Sequence, residues 1–302
     1  TVKADGDLAG LLDRLIDSEH DAVRIETIKL AGIWQVESLA GSLLDATTEE
    51  STSVAVLSTL LNALVDMESQ DARGVIERIC DDDSRSSEAH SVALAVLSRL
   101  DISEASTRFA VFVEDDAVTA NEIGVALTAI LERQGGATEL AKALAEKGLD
   151  KNTARLLLDS VFEAGRSDQE ILAVITRTLA ADNPVPEYDE SYIEQLVESS
   201  SNSGRAVVGK EIFKAIGCAS CHKVAGVGGS VGPDLTAVGT TLSGHRISEE
   251  LLWPQRQIKE GFSLIRVITS EGKVLQGYER KTRETQETGD LLLEDPQSKE
   301  IL

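Results

Sequence analysis

The chain has 302 residues, 42% of them hydrophobic, which is enough for two globular domains. It contains no run of 18 or more apolar residues, so the sequence predicts no membrane insertion. Its formal net charge of −23 argues against binding to nucleic acid or to anionic membrane surfaces.

The first two hundred residues repeat an apolar pattern. Its first copy has the spacing i, i+3, i+4, i+7 and i+8 of one helix face: Leu8, Leu11, Leu12, Leu15 and Ile16. Further copies start at residues 36, 72, 137 and 171, with a weaker one at 105, which gives a period of about 33 residues. A second helical segment lies between successive copies. Residues 1–198 therefore resemble HEAT-type repeats and are predicted to form an α-solenoid, with an irregular helical bundle as the alternative.

A short polar segment, SSSNSG at 199–204, has the composition of a flexible linker. The charge also changes there. Residues 205–302 carry 13 basic and 13 acidic residues, so the other 16 basic and 39 acidic residues of the chain lie in 1–204. The sequence thus predicts two separately folding units, a solenoid and a domain at 205–302. The acidic surface of the first is interpreted either as a solvated face or as an attraction for a basic partner.

The second unit begins with a motif that carries chemistry. Cys218, Cys221 and His222 form C-x-x-C-H, the attachment signature of a c-type haem. In such a site each thiol adds to one haem vinyl group, and the adjacent histidine is held beneath the iron as its proximal ligand. The motif predicts one covalently bound haem c.

Two other interpretations fit the sequence less well. A structural zinc site needs four ligands, and the chain has no second Cys or His pair. A thioredoxin-type redox pair opens a helix after a strand, whereas this motif follows a helical segment and precedes a glycine-rich loop. The third cysteine, Cys80, occupies an apolar position of the repeat and is predicted to be a buried hydrophobe.

The neighbouring residues resemble a class I cytochrome c. Gly209 and Phe213 match the G-x-x-x-F of its first helix, and GPDL at 232–235 matches the segment whose proline carbonyl, here Pro233, accepts a hydrogen bond from the proximal histidine. The resemblance implies a small α-helical domain around the haem.

Residues 205–302 further resemble the haem-binding cytochrome domain typical of Planctomycetes and Verrucomicrobia. Its motif L-x-x-P-x-x-x-I-x-x-G-[YF] is matched from Leu251 to Phe262, and a β insertion follows, predicted as two strands around Glu271–Gly272 and a third at GDLLLED. In that family the domain follows helical repeats, often behind a sugar-dehydrogenase-like propeller. Phe213, Trp253 and Phe262 are candidates to form the wall of the haem site, and Arg256 is a candidate partner for a haem propionate.

The distal side of the iron is not determined by these residues. Family members continue to an S-x-M-P segment whose methionine is the sixth ligand, and no such segment occurs up to Leu302, so the domain is expected to be incomplete at its C-terminus. The one methionine, Met67, belongs to the solenoid. His245 is the remaining candidate ligand, although a polar residue ahead of a helix capped by Ser248 is the plainer interpretation.

The sequence thus predicts an electron-transfer protein rather than an enzyme, which relays electrons from an associated dehydrogenase to a respiratory acceptor. It is expected to be periplasmic or exported, because haem attachment takes place outside the cytoplasm. A haem-based sensor with an open distal site and a helical-repeat docking scaffold are the alternatives.

Overall fold

The computed structural model describes residues 8–49, 52–115, 117–166, 168–179, 187–229, 232–256, 264–296 and 298–301. The protein is mainly helical, with two small antiparallel sheets in the described part. It divides into two compact units, Thr1–Lys147 and Gly148–Leu302.

The first unit is built of paired helices. Its described helices are α1 (Leu8–Ile16), α2 (Asp21–Ile33), α3 (Ala40–Ala46, after a 3-10 turn at Glu37–Leu39), α4 (Val54–Asp66), α5 (Ala72–Asp81), α6 (Ser87–Leu100), α7 (Ile102–Phe112), α8 (Ala120–Leu131) and α9 (Gly136–Lys147). Side chains that accept hydrogen bonds from the first-turn amides fix several of the starts: Ser53 for α4, Ser86 for α6, Asp101 for α7 and Thr119 for α8. The pairs recur at the predicted period.

The second helices of these pairs pack in a row. Helix α4 lies against α2 on one side and α6 on the other, and α6 in turn packs against α8. The backbones of α2 and α4 approach closely, since a Cβ placed on Gly32 would lie 2.9 Å from Cα of Ala63. The fully buried core residues include Ile28, Leu60 and Leu97. Helical repeats are therefore confirmed, and their assignment to the HEAT type stays a prediction.

The second unit combines the last repeat helices with the C-x-x-C-H domain. Its described helices are α10 (Lys151–Glu163), α11 (Gln169–Leu179), α12 (Glu190–Ser203), α13 (Ala206–Ala215), α14 (Cys218–Cys221), α15 (Val238–Thr241), α16 (Gly244–Leu252) and α17 (Arg283–Thr288), with a 3-10 turn at Pro254–Arg256. Its strands are β1 (Lys223–Val224), β2 (Val227–Gly228), β3 (Leu264–Ile268), β4 (Val274–Glu279) and β5 (Leu293–Glu294).

The predicted β insertion is present. Strands β3 and β4 are antiparallel, with Leu264 opposite Tyr278, and they are joined by a turn in which Gly272 has a φ of +76°. Strand β5 adds to β4 at the third predicted position. A left-handed φ costs glycine less than any other residue, which explains Glu271–Gly272 as the turn.

The predicted linker at 199–204 is different in the structure, where α12 continues to Ser203. Ser200, Ser201 and Ser203 each turn the hydroxyl back onto a carbonyl three or four residues earlier, so the serines satisfy their polar groups within the helix. Gly204 and Arg205 alone connect α12 to α13. The polar composition of this segment is therefore compatible with a helix.

The compact units also divide the chain at residue 148, well before the predicted boundary at 198. Helix α10 packs against α14, and a Cβ on Gly217 would lie 3.1 Å from Oδ1 of Asp159 in α10. Helix α12 packs against α16 in the same unit. The last repeat helices therefore share a compact unit with the C-x-x-C-H domain.

A buried ion pair joins the loop between α10 and α11 to the hairpin β3–β4. Arg166 donates to both carboxylate oxygens of Asp168 at 2.9 and 3.1 Å, and the Asp168 side chain is fully buried. Arg266 of β3 and Gln276 of β4 donate to Oδ1 of the same carboxylate at 3.3 and 3.0 Å. Arg166 also donates to the carbonyl of Val274 at 3.4 Å. We refer to these residues as the Asp168 cluster.

Candidate haem site

The C-x-x-C-H motif forms a single helical turn. Gly217, with a φ of +82°, ends the preceding segment and starts α14, and His222 leaves α14 in an extended conformation. The amide of His222 donates to the carbonyl of Cys218 at 2.9 Å. Because residues three apart lie on the same side of a helix, Cys218 and Cys221 face the same way, with the histidine directly after them.

The two thiols lie in partly buried surroundings. Burial raises the pKa of Cys218, and burial followed by the charge of Cys218 raises the pKa of Cys221. Redox-active C-x-x-C pairs have lowered thiol pKa values, because the thiolate is their reactive form. The environment therefore favours an attachment site over a redox pair.

The ring of His222 is oriented by a backbone carbonyl. Its Nδ1 lies 2.9 Å from the carbonyl oxygen of Pro233, the contact that the resemblance to cytochrome c implied. Since a carbonyl oxygen only accepts, Nδ1 carries the proton and Nε2 keeps its lone pair for a metal. This is the tautomer that an iron ligand requires.

Two glycines let the backbone approach the histidine. A Cβ on Gly232 would lie 2.5 to 3.0 Å from Cε1, Nδ1 and Nε2 of His222. A Cβ on Gly228, whose φ is +118°, would lie 2.2 Å from the carbonyl oxygen of His222. The amide of Gly232 also donates to the carbonyl of Cys221 at 2.9 Å. The backbone at Gly232 therefore lies directly against the imidazole, and the backbone at Gly228 lies against the carbonyl of His222.

The loop GPDLT is held by its own polar residues. The amide of Thr236 donates to Oδ1 of Asp234 at 2.8 Å, and Oγ1 of Thr236 accepts from the amide of Ala225 at 2.8 Å. Hydrogen bonding by Thr236, first by its side chain and then by its amide, lowers the pKa of Asp234. The loop that presents Pro233 is thus tied to the turn between β1 and β2.

The surrounding apolar side chains fit a large apolar cofactor. Among the described residues from 205 to 256, no apolar side chain is buried. Several large ones are instead exposed: Val207, Val208, Ile212, Ile216, Val224, Val227, Leu242 and Leu251. A domain with two thiols, a free imidazole nitrogen and this much unburied apolar surface has the residues to hold a haem as its core.

The proposed haem-wall residues are placed differently from one another. Phe213 is partly buried in α13. Trp253 packs edge-on against Tyr188 and Tyr192, with ring centroids 5.2 and 6.5 Å apart, at the junction of α12 and α16. Phe262 lies outside the described residues. The haem-wall role of these three residues stays a prediction.

Arg256 and His245 have protein partners at the same junction. The Arg256 guanidinium lies 3.7 Å from the ring centroid of Tyr188, and its Nε donates to Glu249 at 3.0 Å. Nε2 of His245 lies 2.8 Å from Oε1 of Glu190. The proposed propionate contact of Arg256 and iron ligation by His245 therefore find no support in these contacts. Helix α16 begins at Gly244 with Ser243 as its cap, so the expected cap at Ser248 is wrong.

Three features of the site were missed in the sequence. Gly232 contacts the imidazole, and Asp234 and Thr236 brace its loop. The pKa of Tyr278, buried in β4, is raised by burial first and then by the charge of Cys221. Gly232, Asp234 and Thr236 all belong to the motif GPDLT, so the motif itself could have indicated them. Nothing in the sequence placed Tyr278.

The described residues contain no group of three or more His, Cys, Asp and Glu side chains arranged to hold a metal ion. Within the same residues, no helix combines the length and the apolar character needed to cross a membrane.

The helical turn of Cys218 and Cys221 and the oriented ring of His222 are the arrangement that attachment of a c-type haem would need. Residues 206–266, which are 61 of the 302, match the cytochrome c family. The match starts at the first residue of α13 and ends in β3, so this segment forms a cytochrome c domain, for which covalently bound haem c is implied. Comparisons with curated proteins and with solved structures gave no match.

Proposed function

We propose that the chain is an electron-transfer protein that carries one haem c, bound through Cys218, Cys221 and His222. The observation that supports it most is the contact between His222 Nδ1 and the Pro233 carbonyl, within a segment that matches cytochrome c. A haem supplies a one-electron ferric/ferrous couple when bound. The thiols anchor it, His222 ligates it, and Pro233 fixes the ring and increases the basicity of its ligating nitrogen.

The donor is a dehydrogenase and the acceptor a respiratory component, with the chain itself a relay. The protein acts in the periplasm or outside the cell, where cytochrome c domains typically occur. The acidic residues of 1–204 give the helical part a field that attracts cationic partners. This supports docking of a basic redox partner on the helical repeats.

The covalent bond is tested on denatured protein. The wild type, matured in an export pathway, should keep a haem stain on a denaturing gel and keep its colour after acid–acetone extraction. Cys218→Ala combined with Cys221→Ala should lose both. Cys80→Ala is the matched control and should keep both, because Cys80 lies in the first unit. Haem that leaves the wild type on extraction would contradict the proposal.

A haem-based ligand sensor is the second candidate. It is favoured by the placement of His245, the candidate distal ligand, whose Nε2 lies 2.8 Å from Oε1 of Glu190. An open distal side predicts rapid CO binding to the ferrous protein, unchanged in His245→Ala. A ferrous protein that resists CO, as expected for a six-coordinate electron carrier, would exclude this candidate.

A further inference from the structure

Asp159 places a carboxylate of a repeat helix against the start of the C-x-x-C-H turn. It lies on α10, which packs against α14 within the second unit. Gly217 begins α14 with a φ of +82° and has no side chain, so a Cβ at its position would lie 3.1 Å from Oδ1 of Asp159. The carboxylate therefore approaches the backbone of the residue directly before Cys218.

The Asp159 carboxylate is partly buried and has no partner that would stabilise its charge. Burial alone raises its pKa, and within the described part of the chain no hydrogen bond or ion pair lowers it. Asp150, which caps the same helix, shows the opposite behaviour, because hydrogen bonds from Thr153 lower its pKa. A partly buried charge without a partner costs free energy, and residues that break a local rule in this way are concentrated at functional sites.

The position of this charge connects it to the haem of the proposed function. A haem attached through Cys218 is anchored one residue from the backbone that Asp159 approaches. Ferric iron carries one more positive charge than ferrous iron, so a nearby anion stabilises the ferric state, and partial burial reduces the screening of that interaction by water. Glu211 on α13 differs, since its side chain is 67% exposed and lies 3.6 Å from Lys214.

We propose that Asp159 lowers the reduction potential of the haem bound at Cys218 and Cys221, through the negative charge that it holds beside the start of α14. This inference rests on the proposed electron-transfer function. The cytochrome c match begins at residue 206, whereas the charge comes from α10, so a repeat helix takes part in the redox chemistry. If Asp159 only packed against Gly217, an uncharged side chain of the same shape would serve equally well.

The test is a spectroscopic redox titration of the haem-bearing 302-residue chain at pH 8, where the carboxyl is charged. At the wild-type midpoint, Asp159→Asn should lower the ratio of ferric to ferrous haem at least about threefold, a rise of about 28 mV at about 59 mV per tenfold change. Asp159→Glu keeps the charge and should stay within about 1.5-fold of the wild type. Glu211→Gln removes an exposed charge and is the matched control, with an expected change below about 1.5-fold.

A second measurement uses the haem-free chain. Asp159→Asn should not lower its thermal midpoint by more than about 1 °C, because no ion pair or hydrogen bond is lost. A residue that acted only through packing or hydrogen bonding would shift this midpoint and leave the potential unchanged.

Each other outcome overturns the proposal. An unchanged ratio in Asp159→Asn, or a change no larger than that of Glu211→Gln, would mean that the charge does not act on the iron. An equal change in Asp159→Glu would make shape the cause. A lower midpoint of the haem-free variant, or a folded Asp159→Asn chain that attaches no haem, would assign the residue to structure or attachment. A wild-type chain without covalent haem would contradict the proposed function itself, and this inference with it.

Discussion

Gly232 lies against the imidazole of His222 so closely that a Cβ at its position would be 2.5 Å from Cε1. The next residue, Pro233, supplies the carbonyl that holds Nδ1. One short segment therefore sets both the position and the rotation of the ring. The glycine acts by having no side chain, and the proline acts through its backbone.

Gly232→Ala should displace the His222 ring, because real Cβ atoms do not approach other atoms so closely. We expect a several-fold lower yield of haem-bearing protein, measured by pyridine haemochrome absorbance per mole of polypeptide. Gly239→Ala is the matched control, since no atom lies within 4 Å of the Cβ position there. Equal haem content in the two variants would show that the ring accommodates the methyl group.

In haem-free protein the thiols should react slowly. A raised pKa means that less thiolate is present at any pH below it, and the thiolate is the nucleophile. Alkylation of Cys218 and Cys221 by iodoacetamide at pH 8 should therefore be slower than alkylation of free cysteine, and should accelerate above pH 9. Burial raises the pKa of Cys80 to about 12, so Cys80 should be the slowest of the three. Peptide mass spectrometry over time resolves the sites, and faster alkylation of Cys221 than of free cysteine would revive the redox-pair interpretation.

A fragment of residues 148–302 should mature with haem better than one of residues 205–302. The shorter fragment lacks Asp168 and Tyr188, so Arg266 and Gln276 lose their hydrogen bonds to Asp168, and Arg256 loses its contact with Tyr188. We expect at least a several-fold lower haem yield and faster proteolysis of the shorter fragment. Similar yield and protection for both would restore the boundary that the sequence predicted.

Asp168→Asn should destabilise the second unit by about 3 kcal/mol, the scale for removing one partner of a buried ion pair. The substitution removes the Asp168 charge beside the buried Arg166. Urea unfolding followed by circular dichroism measures the loss. Glu279→Gln is the control, because its ion pair with Lys281 is exposed and should contribute below about 1 kcal/mol. A change as small as that of the control would mean that water reaches the Asp168 cluster.

The helical repeats were predictable because the apolar face of each helix can be read from the spacing of apolar residues within that helix. The starts at residues 8 and 72 coincide with α1 and α5, whereas the weaker copy at 105 missed Asp101, whose side chain caps α7. The structure differs from the predicted linker at 199–204 for the opposite reason. Serine favours loops, yet the serines of α12 bond within the helix, and the packing of α12 against α16 overrides their propensity.

The site was predictable where the chemistry is local. Cys218, Cys221 and His222 are fixed by one helical turn, so their spacing carries the prediction. Contacts between distant segments were not predictable. The fold places Arg256 on Tyr188, which precedes it by 68 positions in the sequence, and its contact with a haem propionate stays a prediction. Contacts between residues far apart in the chain cannot be read from a single sequence.

The packing of α12 against α16 restricts how the C-x-x-C-H domain is presented to a protein bound at α12. Two modules joined by a flexible linker sample many separations, which lowers the effective concentration of each at the other. Here Gly244 packs against Val197, Ile193 is fully buried, and Trp253 packs edge-on against Tyr188 and Tyr192. Under the proposed function, a redox partner that binds α10–α12 would meet the C-x-x-C-H turn at a separation set by this packing, rather than at one averaged over a flexible linker.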